Sequence, residues 1–170
     1  SGKTHLLEAL GRQMLEAAAK AGTKVKLLAV TVLTSLSPGE LLELGWGGEP
    51  EDLRKRVLSL GKMAVGAGIP GLVSSLKEAP LLRSELGPKP ILVCPGVRLP
   101  GAEKDDQSRA GSPEEAARSG ADFLVVGRPV LKADNPADAV KKLREALVVS
   151  SSYRWLNLGR APADSGPIFL

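Results

Sequence analysis

Apolar residues recur at helical intervals along the first twenty positions: Leu6, Leu7, Leu10, Met14 and Ala17. That spacing predicts an amphipathic helix over residues 3–20, closed by Gly22. The pattern then changes. Val25 to Leu33 (VKLLAVTVL) is nearly continuous in apolar character and rich in β-branched residues. It is too short for a typical domain helix and predicts a buried parallel strand. Pro50-Glu51-Asp52 opens a second long helix running to about Val65, and Gly68 to Ser74 (GIPGLVS) predicts a short strand followed by a leucine-rich helix. Pro90 to Cys94 (PILVC) is the third predicted strand. A polar loop follows from Pro95 to Gly111, and Ser112-Pro113-Glu114-Glu115 forms a capping box with proline at the first helical position. Gly120 closes that helix. Phe123 to Val126 (FLVV) is the fourth strand, and Asn135-Pro136 caps a last helix running to about Leu147.

One helix followed by four strand–helix repeats is an α/β pattern, with a parallel sheet under helical cover. Two architectures fit it: a small doubly wound sheet, or half of an eight-stranded barrel. Half a barrel would leave two apolar strand edges to be paired with something. From Ser150 onwards (SSSYRWLNLGRAPADSGPIFL) neither period persists, which predicts a tail or a loosely docked extension with Trp155 as a possible anchor.

Composition narrows the function classes. The chain has 170 residues, 43% hydrophobic and 25% charged, which suits one folded domain. Aromatics make up 3%, too few for stacking platforms on single-stranded nucleic acid. The net charge of +4 comes from basic residues scattered among acidic ones, a mild bias towards anionic ligands without a nucleic-acid stripe. No apolar run reaches membrane-spanning length and no secretory signal is visible, so a reducing, cytoplasmic setting is the expectation. A single cysteine, Cys94, and a single histidine, His5, supply neither a disulfide framework nor a Cys/His zinc site. Cys94, inside ILVC, reads as a small buried hydrophobe.

The candidate chemistry gathers at predicted strand ends. The third strand ends in Cys94-Pro95-Gly96-Val97-Arg98 and the fourth in Gly127-Arg128-Pro129. In parallel barrels, ligand chemistry sits at the C-terminal ends of strands, and phosphate is commonly held by the loops after the last two. Two arginines there can converge on one phosphate, because guanidinium forks match its oxygens. The alternative is two surface arginines in separate salt bridges. The loop between them, LPGAEKDDQSRAGS, has the length of a lid or binding loop, with Gln107 and Arg109 as donors.

These stretches resemble the orotidine 5′-phosphate decarboxylase family. The resemblance rests on AVTVLTSL at 29–36, PGVR at 95–98, DQSR at 106–109 and GADFLVVGRPVLKADNP at 120–136, and covers residues 1–148. It implies a (β/α)8 barrel, a homodimer with active sites at the dimer interface, and decarboxylation of orotidine monophosphate to uridine monophosphate without cofactor or metal. It also implies roles. Arg128 matches the phosphate-binding arginine, with the Gly127 N–H beside it. Gln107 matches a glutamine of the phosphate-gripping loop, and Arg98 the arginine supporting that loop. Thr34 matches the hydroxyl residue that reads the pyrimidine edge, and Pro95 a proline packed near the base.

The family's lysine–aspartate array, with a signature like Asp-x-Lys-x-x-Asp, has no match in this sequence. Lys104-Asp105-Asp106 and Lys141-Lys142 read as solvated charges in a loop and on a helix face. The chain is therefore expected to be the C-terminal half of the barrel, residues 1–148, with 149–170 a tail outside the resemblance, and to be inactive alone. Two other readings stand beside it: a metal-dependent sugar-phosphate lyase of the same superfamily, and a non-catalytic half-barrel acting as an assembly partner. The opening Ser1-Gly2-Lys3-Thr4 matches only the end of a Walker A loop, without the preceding strand and first glycine. It reads instead as the small turn that starts a helix after the fourth strand of the full barrel.

Overall fold

The computed structural model describes residues 2–23, 25–47, 49–98 and 111–151. In chain order the elements are α1 (Gly2–Lys20), β1 (Leu28–Val30), α2 (Pro38–Glu43), α3 (Pro50–Gly66), β2 (Gly71–Val73), α4 (Ala79–Leu86), β3 (Ile91–Pro95), α5 (Pro113–Arg118), β4 (Phe123–Val125), α6 (Arg128–Leu131) and α7 (Pro136–Ser151). The strands form one parallel sheet in the order β1-β2-β3-β4. That order separates the two architectures left open above. A doubly wound sheet reverses its strand order at a switch point. Here each strand is added beyond the last, and right-handed crossovers then place the connecting helices on the same face. The fold is a four-stranded α/β segment wound as a barrel is wound.

Burial follows that geometry. Leu72, Ser74, Leu92 and Cys94, alternating along β2 and β3 and just beyond, are buried to within 1%. They face the helix layer. Buried Gly61 of α3 lies so close that an added Cβ would meet Leu82 Cδ2 at 2.9 Å and Leu72 Cδ1 at 3.3 Å. The opposite face carries Leu28, Val30, Val73, Ile91, Val93, Phe123 and Val125, in register rows across the four strands. On that face Val93, in the middle, and Gly71, in the row between Leu28 and Ile91, are the buried strand positions.

Two expectations change. The stretch Val25–Leu33 was expected as a buried strand, but only Leu28–Val30 pairs, and Leu28 and Val30 stay 40% and 54% exposed. It is an edge strand, and its open face has no covering layer, so apolar character alone does not bury it. On α1, the row that packs inward is Leu7, Gly11, Leu15 and Ala18, while Leu6, Leu10 and Met14 remain exposed. Both rows have helical spacing, and only the neighbouring sheet selects between them.

The other boundaries lie close to expectation. Ser112 and Glu115 form the predicted capping box. A second box, Ser37 with Glu40, starts α2 and was not anticipated. Helix α7 extends to Ser151, past the Leu147 expected, and Trp155 lies outside the described residues. Helix α1 begins at Gly2, so Lys3 and Thr4 are first-turn helix positions.

The N-terminal ends of β3 and β4 are tied by Arg83. Its Nε and Nη2 donate to the Gly120 carbonyl at 3.1 and 2.9 Å, and Nη1 donates to the Gly87 and Pro90 carbonyls at 3.1 and 3.0 Å. Nη2 also meets Asp122 Oδ2 at 2.7 Å, and that oxygen accepts the Leu92 N–H at 2.8 Å. One planar fork on α4 ties together the two loops that lead into β3 and β4, at the end of the sheet opposite the strand C-termini.

Candidate functional site

All four strands run in one direction, so their C-terminal ends share one rim. On that rim the β3–β4 register pairs Cys94 with Leu124 and Pro95 with Val125. Arg98 stands three positions after Pro95, and Arg128 three after Val125. The two arginines thus leave neighbouring strands, roughly 4.8 Å apart, at equal distance past the last ladder pair. Both are half-buried.

Local chemistry shapes each connection. Gly96, with φ of +88°, turns the chain directly after β3 in a conformation that disfavours residues bearing a Cβ. Its carbonyl accepts the Gly111 N–H at 2.9 Å, and the Arg98 N–H donates to the Gly111 carbonyl at 2.9 Å. This bridge between Val97 and Gly111 fastens both ends of the segment 99–110 to the sheet rim. Gly111 is buried, and an added Cβ would meet Glu115 Oε2 at 2.8 Å and Leu76 Cδ1 at 3.0 Å. Gln107 and Arg109 belong to that segment and lie outside the described residues.

After β4, Gly127 caps α6 and its carbonyl accepts the N–H groups of Val130 and Leu131 at 3.0 Å each. Apart from its chain neighbours, nothing among the described residues lies within 4 Å of the place a Gly127 Cβ would occupy, so on that side they leave space open beside the Arg128 backbone. Pro95, half-buried on the open face, lies across from Val125.

Thr34 sits apart from this group. It lies in a turn after β1 closed by Leu36 N–H to the Leu33 carbonyl at 3.2 Å. Three strand spacings separate β1 from β4, roughly 14 Å along a flat sheet and less across a curved one. The structure thus brings Pro95, Arg98, Gly127 and Arg128 to one side of the rim and leaves Thr34 on the other. Such an arrangement suits the two ends of one extended ligand better than a single small anion.

Between them lies a polar cluster that the sequence reading passed over. Ser74, Ser75 and Glu78 are all buried at the end of β2. Ser75 Oγ donates to Glu78 Oε2 in a short contact and accepts the Lys77 N–H at 3.2 Å. Ser74 Oγ is buried without a hydrogen-bond partner among the described residues. Thr31, on the adjacent strand end, donates from Oγ1 to the Val73 carbonyl at 2.9 Å. The signal was present as Ser75-x-x-Glu78 before Pro80, the same spacing as the two capping boxes.

Cys94 is fully buried beneath this rim. Desolvation, then the nearby charges of Glu78 and Asp122, push its thiol up to about 12, with Arg83 opposing. It is a packing residue and no nucleophile at neutral pH. Among the described residues no cluster of His, Cys, Asp or Glu is arranged to hold a metal ion, and no helix is long and apolar enough to cross a membrane.

Comparison with known proteins bears on the family. The model of the "Orotidine 5'-phosphate decarboxylase / HUMPS family" matches residues 5–143. An orotidine 5′-phosphate decarboxylase of Gluconobacter oxydans (strain 621H) is 47% identical over 148 residues, covering 86% of this chain and 61% of the relative. One from Anaeromyxobacter sp. (strain K) is 47% identical over 138 residues, covering 81% and 60%. The crystal structure of orotidine 5′-phosphate decarboxylase from Lactobacillus acidophilus superposes with a TM-score of 0.57 at 33% identity, over 75% of this chain and 53% of that one. The chain spans about 60% of the length of these curated relatives.

Proposed function

The chain belongs to the orotidine 5′-phosphate decarboxylase family, and from that membership we propose that it supplies the phosphate- and pyrimidine-binding half of an enzyme converting orotidine monophosphate to uridine monophosphate and carbon dioxide. The observation that carries this reading is the equal offset of Arg98 and Arg128 past the β3–β4 ladder, beside the open space at Gly127.

In this reading the Arg128 guanidinium and the Gly127 N–H grip the phosphate. Arg98, through its backbone bond to Gly111, supports the loop from which Gln107 closes over it. Thr34 holds the pyrimidine edge on the far side of the rim, and Pro95 packs near the base. Decarboxylation leaves negative charge on a ring carbon. In the family a lysine ammonium stabilises and then protonates that carbon, and adjacent aspartates disfavour the substrate carboxylate. This sequence contains no match to that array. The chain alone therefore binds without turning over. In the complete enzyme its phosphate contacts serve catalysis from a distance, by driving closure and desolvation around the reacting carbon. That enzyme is a cytoplasmic homodimer acting without metal or cofactor, and neither nucleic acid nor membrane is a partner. The names of the relatives favour the pyrimidine branch over a metal-dependent sugar-phosphate lyase.

Calorimetric titration with uridine monophosphate and with uridine tests the assignment. One charge-assisted bidentate contact is worth about 1.5–3 kcal/mol, so Arg128→Ala should weaken uridine monophosphate binding by about 10- to 100-fold and leave uridine binding unchanged. An unaltered affinity for the monophosphate would remove Arg128 from the site. Loss of orotidine monophosphate absorbance on adding the purified chain would overturn its incapacity, and a magnesium requirement in the complete enzyme would favour the sugar-phosphate reading.

A further inference from the structure

We propose that Glu78 is a positioning residue for the phosphate site: its hydrogen bond with Ser75 fixes the turn after β2 on which Gly111, and through it Arg98, is seated. This role rests on the phosphate-binding reading of Arg98 and adds to it the residue that sets where its backbone stands.

Ser75 and Glu78 repeat the spacing of the Ser37–Glu40 and Ser112–Glu115 boxes. The acids of those two boxes are exposed, whereas Glu78 is only 4% exposed. Burying a carboxylate is costly, and a helix start can be capped without doing so. The burial of Glu78 therefore calls for a reason beyond capping. Its surroundings supply one. β2 and β3 each have a strand on both sides, so the turn after β2 lies in the enclosed middle of the sheet rim. The charge of Glu78 adds to the upward push on the Cys94 thiol, so its carboxylate lies near the end of β3, from which the Arg98 connection departs.

The turn is held on both sides of Leu76. Before it, the Ser74 N–H donates to the Val93 carbonyl at 3.1 Å, which ties the turn to β3. Around it, Ser75 Oγ donates to Glu78 Oε2 and accepts the Lys77 N–H at 3.2 Å, and the Ser75 carbonyl accepts the Ala79 N–H at 3.0 Å. Leu76 itself is 4% exposed and is the surface against which Gly111 rests. A Cβ added at Gly111 would meet Leu76 Cδ1 at 3.0 Å and Leu76 Cβ at 3.4 Å. Gly111 has no side chain to hold it. Its place depends on this surface and on its two backbone bonds, one to the Gly96 carbonyl and one from the Arg98 N–H. The line of contact thus runs from Glu78 through Ser75, Leu76 and Gly111 to Arg98, and only its last member is assigned to substrate. A residue that merely stabilised α4 would shift the stability of the whole fold and leave the choice between ligands unchanged.

Amide hydrogen exchange followed by NMR tests the seat without any ligand. Glu78→Ala should speed exchange at Gly111 and Arg98 by about tenfold more than at Val57 and Leu92, which are buried in the core and report opening of the whole fold. Glu78→Gln keeps an oxygen that accepts from Ser75 and should restore slow exchange. Ser75→Ala breaks the same bond and should reproduce the loss, also where Glu78→Ala does not fold. In titrations, Glu78→Ala should weaken uridine monophosphate binding by about tenfold and leave uridine binding unchanged. Equal acceleration at all four amides would make Glu78 a stability residue alone and overturn the proposal. So would Glu78→Gln behaving like Glu78→Ala, or monophosphate affinity untouched in a protein where Arg128→Ala lowers it. If Arg128→Ala changes nothing either, the phosphate reading is what falls, and the exchange rates still decide whether Glu78 seats Gly111.

Discussion

Replacing Arg83 by alanine removes the side chain that ties α4 to the loops before β3 and β4 at the N-terminal end of the sheet. The guanidinium makes five hydrogen bonds, to the carbonyls of Gly120 (two), Gly87 and Pro90 and to Asp122 Oδ2. Summed at about 1.5–3 kcal/mol each for charged donors, they would equal the whole stability of a typical domain, so the sum is the wrong estimate. Accessibility sets the real cost. The Arg83 side chain is 16% exposed and Asp122 44%, so water reaches the carboxylate once the arginine is gone, while the carbonyls beneath it rehydrate only in part. Breaking a pair at this depth should cost about 3 kcal/mol, near the lower end for a buried ion pair. For a chain of this size that lowers the melting temperature by roughly 6–12 °C. Urea unfolding followed by circular dichroism, at fixed protein concentration, measures it as a fall in midpoint with unchanged slope. The contrasting variant is Lys62→Ala. It breaks the exposed 2.9 Å pair with Glu85, with half-exposed partners on both sides, and should cost under about 0.5 kcal/mol. If Arg83→Ala and Lys62→Ala prove equally mild, the bracing role assigned to Arg83 is wrong.

Two further outcomes follow from the geometry at the other end. Gly111→Ala forces a Cβ against Leu76 and the capping carboxylate of Glu115; it should cost about 1–3 kcal/mol by overpacking and weaken uridine monophosphate binding, because the bridge to Val97 anchors the loop carrying Gln107. Denaturation and titration on the same sample would show both effects or refute the link. Cys94 should resist iodoacetamide in the native chain at pH 8 and react once unfolded. Its thiol titrates at about 12 when folded against 9.0 ordinarily, so the unfolded state loses the proton first, and stability should fall as pH rises from 9 towards 12. Rapid native labelling at pH 8 would contradict the burial assigned to it.

Much of this protein is legible in one dimension because the signals are local. The capping box at Ser112 and the proline at the first position of α3 act within one helical turn, so they can be read without knowing what packs above them. The Ser37–Glu40 box was equally local, and was missed because the six residues of α2 are too few to show a hydrophobic period. α6 is shorter still, and its start at Arg128 emerges only from the backbone bonds that Gly127 accepts. The arginines Arg98 and Arg128, and the family they suggest, were visible as strand-end residues.

The sequence by itself determined the alternation of helix and strand, the α/β class, the strand ends where chemistry gathers, and family membership, all of which depend on residue type and near-neighbour spacing. Only the tertiary structure decided the strand order, and with it the choice of barrel winding over a doubly wound sheet, since strand adjacency is a contact between distant segments. It also decided that VKLLAVTVL contributes three paired residues at an exposed edge, and which of two apolar rows on α1 turns inward. Finally, it set Arg98 and Arg128 at matching distances past Pro95 and Val125 while leaving Thr34 across the sheet. Apolar residues state a preference for burial, but what buries them is set by the neighbours that pairing and packing bring alongside.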